Sequence, residues 1–131
     1  MNTEKEILQA SKTIAIVGLS PKEDRPSFTV ASYLKQHGYR IIPVNPAAAE
    51  ILGEKSYPDV ASIPDKVDVV DIFRRSEDVL PIVREAVKKG IKAVWMQEGI
   101  INEEAANHAR DAGLLVVMDK CMRKQHMGLQ N

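Results

Sequence analysis

Apolar residues along this chain fall into short unbroken runs separated by amphipathic stretches, and the two patterns alternate. Thr13-Ile14-Ala15-Ile16-Val17 is a run of mostly branched residues stopped by Gly18. Such a run suits a strand buried on both faces, as in a parallel sheet. Tyr39 to Val44, Val67 to Phe73, Ile91 to Met96 and Leu114 to Met118 repeat the pattern and predict four more strands. Pro43 has no amide to donate, so it belongs near the end of the second. Helical spacing fills the gaps. Phe28, Ala31 and Leu34 share one face of a helix that Gly38 can stop. Ser76 is placed to cap a helix with Glu77 and Asp78 in its first turn and Leu80, Val83 and Val87 on its apolar face, ending at Lys88-Lys89-Gly90.

Asn102 caps an alanine-faced helix (Ala105, Ala106, Ala109) that stops at Gly113, and Asp119 stands where a last helix would be capped. At the start, Thr3-Glu4-Lys5-Glu6 reads as a capping box for a helix running to about Ser11. Only 47–64 is irregular, with room for one short helix and a loop. Strand–helix alternation predicts an α/β fold: a single Rossmann-like doubly wound domain over 1–131, its five-stranded parallel sheet covered by helices on both faces.

Composition narrows the function without naming it. Lys+Arg and Asp+Glu are 18 each, so the net charge of +0 calls for neither a nucleic-acid nor a membrane partner. The longest apolar run, Leu114 to Met118, is too short to cross a bilayer. Met1-Asn2-Thr3-Glu4-Lys5-Glu6 carries acids where a secretory leader needs basic and then apolar residues, so a cytoplasmic location is expected. A single cysteine, Cys121, excludes an intrachain disulfide and a cysteine zinc cage, and no metal-ligand spacing is visible.

Ligands of open parallel sheets bind outside the carboxyl ends of the strands, near the point where strand order reverses. Four strand ends are therefore candidates. The first offers Gly18 for close backbone approach, hydroxyls at Ser20 and Ser27, positive charge at Lys22 and Arg25, and a following helix N-terminus that favours an anion. The second is Val44-Asn45-Pro46, where a dinucleotide site would carry an acid for the ribose. Asn45 can bond a ribose or an amide but brings no charge. Only Gly18 stands where the dinucleotide fingerprint needs three glycines. The third places Arg74 and Arg75 directly after Phe73; guanidinium suits phosphate, while salt bridges of Arg75 to Glu77 or Asp78 are an equal alternative. The fourth, Gln97-Glu98-Gly99-Ile100, adds an amide, a carboxylate and a glycine turn after Trp95, which belongs to the core.

Together these segments resemble a known family, the small stand-alone CoA-binding proteins, whose domain is similar to the CoA-binding domain of the succinyl-CoA synthetase α subunit. The resemblance covers about Thr13 to Gln125. It rests on Ile16-Val17-Gly18-Leu19-Ser20, Gly38-Tyr39 leading to Pro43-Val44-Asn45-Pro46, Val67 through Ser76, Trp95 through Ile100, and Ala112-Gly113-Leu114 to Cys121-Met122. It implies coenzyme A or an acyl-CoA at the switch point, with nucleotide and diphosphate against the first three strand ends and the pantetheine arm toward the fourth. Where the family carries a Glu and an Arg around its last helix, this chain has Gln125-His126-Met127-Gly128-Leu129, so contacts from that segment are not carried over.

The residues themselves show no Ser/His/Asp arrangement and no paired carboxylates at one strand end. Non-catalytic CoA or acyl-CoA binding is therefore the leading expectation. A nucleotide-dependent enzyme of the NAD oxidoreductase kind and a CoA-sensing interaction domain with a protein partner are the alternatives. Cys121 lies near where the pantetheine should emerge. At a helix start it would gain thiolate character, which Asp119 would oppose; a buried, apolar-like cysteine is the plainer expectation.

Overall fold

The computed structural model describes residues 3–129. Five parallel strands form the central sheet: β1 (Thr13–Val17), β2 (Arg40–Val44), β5 (Val69–Ile72), β6 (Ala93–Met96) and β7 (Leu115–Val117), in the order β2-β1-β5-β6-β7. All four pairings are parallel. Strand order thus reverses between β1 and β5, which is the switch point of a doubly wound, Rossmann-like sheet. β1, β2, β5 and β6 are almost wholly buried, as their unbroken apolar runs require, while the edge strand β7 buries only Val117 fully.

Helices cover both faces. On one lie α3 (Val79–Lys89) and α4 (Glu103–Asp111), which bury Val79, Val83, Ala86, Ala105, Ala106 and Ala109 against Ala15, Val70, Ile72 and Val94. The small alanines let α4 approach closely. On the other lie α1 (Thr3–Ala10), α2 (Pro26–Gln36) and α5 (Met122–Leu129), with Ile7, Leu8, Val30, Ala31, Leu34 and Met122 packed on Ile14, Ile16 and Trp95. Trp95 is fully buried and its indole nitrogen donates to the Lys120 carbonyl at 2.8 Å. Pro43 sits one residue from the end of β2, an edge strand, where its missing donor costs no ladder bond.

Several local expectations are corrected. Segment 47–64 contains no helix; it carries a small antiparallel hairpin, β3 (Glu50–Ile51) and β4 (Glu54–Lys55). Leu52 and Gly53 both adopt positive φ, which a two-residue hairpin turn demands. Lys35 stitches the hairpin to α2 by donating to the Leu52 carbonyl at 2.6 Å and pairing with Glu54 at 3.0 Å. Ser76 caps no α-helix: it opens a 3-10 turn, and its hydroxyl accepts from the Ile101 amide at 3.0 Å. Asp119 does not cap α5 either. Its left-handed backbone (φ 62) turns the carboxylate to the Gly99 amide at 2.6 Å. The first helix already includes Thr3, which is therefore a helical residue and not its cap.

Candidate functional site

The loop after β1 is shaped by its own hydroxyls. The Ser20 amide donates to Ser27 Oγ at 3.0 Å, and the Lys22 amide donates to Ser20 Oγ at 3.1 Å. Pro26 then starts α2, a position where its missing donor costs nothing. Opposite, β5 ends at Phe73-Arg74-Arg75. Gly18 and Phe73 face each other across the switch point, and a cleft of about 720 Å³ opens above them. It is lined by Gly18, Ser20, Lys22, Arg25, Pro26 and Ser27 on one side and by Phe73, Arg74, Arg75, Asp78 and Ile100 on the other.

The cleft is basic although the whole chain is neutral. Its charged lining is Lys22, Arg25, Arg74 and Arg75 against Asp78 alone. Arg75 is spent: its Nε lies 3.1 Å from Asp78 and 3.7 Å from Glu77, with the side chain 76% exposed. Lys22, Arg25 and Arg74 form no ion pair among the described residues. Three uncommitted cations beside a helix N-terminus give this cleft a positive local potential.

A second chamber of about 530 Å³ adjoins the first across Pro26, Phe73 and Ile100. Its other lining residues include Gln97 and Glu98 from the β6 end and Cys121, Arg123 and Lys124 from the start of α5. Gln97 is only 4% exposed, and its side-chain carbonyl accepts from the Met122 amide at 3.0 Å, so it serves as the cap that Asp119 does not supply. Glu98 pairs with Lys124 at 3.1 Å. Cys121 is buried, at 9% exposure, yet borders the chamber.

The remaining expected residues lie outside these two cavities. Asn45 is committed to the chain: its amide donates to the Leu19 carbonyl at 2.9 Å and its oxygen accepts from the Ala47 amide at 2.8 Å. Pro46 borders a separate pocket of about 160 Å³ that also touches Arg74. Gly99, at φ 85, makes the turn held by Asp119. Arg123 and Lys124 were missed by the sequence reading, although the strand-end rule applied to the fifth strand would have found them. The segment around His126 anchors α5. His126 Nδ1 lies 2.7 Å from the Tyr33 hydroxyl on α2, and burial, then the His37 charge, lowers its pKa below the ordinary imidazole value. Among the described residues no group of three His, Cys, Asp or Glu could hold a metal, and no helix is long and apolar enough to cross a membrane.

Beneath the site one buried acid stands out. Asp71 in β5 is registered between Ile16 and Trp95, is fully buried, and neither of its carboxyl oxygens has a hydrogen-bond partner. Burial raises its pKa well above the usual carboxylate range, outweighing a lesser interaction with the Ile72 backbone that falls short of hydrogen-bond geometry.

The fold agrees with what comparison with known proteins shows. The family model described as a CoA binding domain matches residues 12–127, and the chain belongs to that family. It is 42% identical over 122 residues to the uncharacterised protein YneT of Bacillus subtilis, covering 93% of this chain and 90% of that one. It is also 36% identical over 100 residues to an ADP-forming acetate–CoA ligase (II) of Archaeoglobus fulgidus, covering 75% of this chain but 15% of the ligase. The structure of a hypothetical protein from Pyrococcus horikoshii superposes with a TM-score of 0.95 at 44% identity, covering 100% of this chain and 94% of the other.

Proposed function

We propose that this protein binds coenzyme A, or a short acyl-CoA, without catalysing a reaction on it. One observation carries the reading: the uncommitted cations Lys22, Arg25 and Arg74 surround a cleft at the switch point that adjoins a second chamber across Phe73. Coenzyme A has that division of charge, with a diphosphate and a 3′-phosphate at one end and a neutral pantetheine arm at the other. The phosphates take the basic cleft and the N-terminus of α2; the arm passes Phe73 and Ile100 into the chamber. Membership of a CoA-binding family supports the assignment.

Two further observations favour this ligand and role over the alternatives. The β2 end offers Asn45, tied to Leu19 and Ala47, where NAD would need a carboxylate for its ribose. The hydroxyls of Ser20 and Ser27 accept from backbone amides, and no histidine lines either cavity to activate them. Native mass spectrometry of the purified protein tests the reading. A retained mass equal to CoA or an acyl-CoA is expected; a retained flavin or dinucleotide would refute it.

A further inference from the structure

The second chamber holds two donors that the protein leaves unanswered. Arg123 is half-buried, its Nε is buried without a hydrogen-bond partner, and it forms no ion pair among the described residues. One of its terminal nitrogens meets only the Met127 sulfur, at 3.6 Å. Gln97, nearly buried, spends its carbonyl on α5 and leaves its amide nitrogen without an acceptor among the described residues. The other charges nearby are already answered or solvated: Lys124 pairs with Glu98, Asp24 lies on the exposed loop before α2, and Glu23, which shares a neighbouring cavity with Arg123, is exposed and not paired with it.

A guanidinium partly withdrawn from water is disfavoured unless an acceptor meets it. The pantetheine arm offers only neutral acceptors, its amide carbonyls and hydroxyl, whereas a carboxylate answers a guanidinium in charge as well as in hydrogen bonding. Given the CoA reading above, on which this inference rests, such a carboxylate has its place beyond the sulfur. We propose that the favoured ligand is an acyl-CoA whose short acyl chain ends in a carboxylate, received by Arg123 with the Gln97 amide donating to a carbonyl nearby. The planar fork of arginine takes a carboxylate through two parallel hydrogen bonds, which a neutral chain of equal length cannot offer.

Calorimetry with two hydrolysis-resistant thioethers of equal chain length, S-(3-carboxypropyl)-CoA and S-butyl-CoA, tests this alongside free CoA. The carboxylated ligand is expected to bind the wild-type protein roughly ten- to a hundredfold more tightly, the equivalent of one charge-assisted contact. Arg123→Gln should bring that ratio to about one, and Arg123→Lys, which keeps the charge but loses the fork, should leave it intermediate. CoA binding with equal affinity for the two thioethers overturns the carboxylate inference alone. A preference that survives Arg123→Gln overturns the role given to Arg123. Failure of all three ligands to bind overturns the CoA reading and this inference with it.

Discussion

Gly18 and Phe73 meet where the strand order reverses, so closely that a Cβ on Gly18 would lie 2.2 Å from the Phe73 carbonyl oxygen. Gly18 also holds φ 86, and its amide donates to Val44 at 2.9 Å while the Phe73 amide donates to Val17 at 2.8 Å. The glycine thus lets three strand ends converge under the cleft. Neither its conformation nor its space admits a side chain.

Gly18→Ala should therefore destabilise the fold by at least about 2 kcal/mol, from overpacking against backbone plus the left-handed conformation. Urea unfolding checks it. A midpoint equal to wild type would show that the β1 and β5 ends separate easily.

Arg25 and Arg74 have no protein counter-charge among the described residues, so they are free for phosphate. Arg25→Ala or Arg74→Ala should weaken CoA more than dephospho-CoA, by about 1.5–3 kcal/mol for whichever side chain meets the 3′-phosphate. Titration of both ligands into both variants measures it. If the two ligands lose equally in both, the 3′-phosphate lies elsewhere.

Asp71 gives the stability a defined pH dependence. Its folded pKa is raised, so the native state keeps a proton that the unfolded chain releases. Stability attributable to this group is fully present below the unfolded pKa and is lost as pH rises toward the folded one. Asp71→Asn should remove that slope, and Asp71→Val should gain about 1–3 kcal/mol at neutral pH by deleting an unsatisfied buried group. Chemical unfolding across the acid-to-neutral range decides; a destabilised Asp71→Val would mean the carboxyl has a partner in solution.

Most of the layout was legible because burial on both strand faces forces unbroken apolar runs, and the helices between them carry clear apolar stripes. The β3–β4 hairpin was hidden by its two-residue strands, too short for any periodicity, and is held from outside by Lys35. At the site, Lys22, Arg25 and Arg74 could be read because isolated cations at strand ends have few other uses. Asn45, Gln97 and Ser20 could not be sorted, because an amide or hydroxyl that suits a ligand suits the chain's own backbone equally well. All three are engaged by the chain. Arg123 escapes for a different reason: it is the second residue of α5, several positions past the end of the fifth strand, and nothing in its local sequence distinguishes it from an ordinary exposed helix cation.

Cys121 borders the second chamber but exposes little of its surface. It should react slowly with an aromatic disulfide reagent in the native protein, fully after denaturation, and more slowly still with saturating CoA, whose arm would fill the chamber. Stopped-time absorbance measurements give the rates. A native rate untouched by CoA would put the pantetheine arm on another path.

The central claim is that the cleft selects CoA by its phosphates and not a dinucleotide by its ribose. Calorimetric titration of the purified, ligand-free protein with CoA, NAD and FMN under one set of conditions tests it directly. CoA should bind more tightly than either; NAD or FMN binding as tightly as CoA, or more so, would contradict the account.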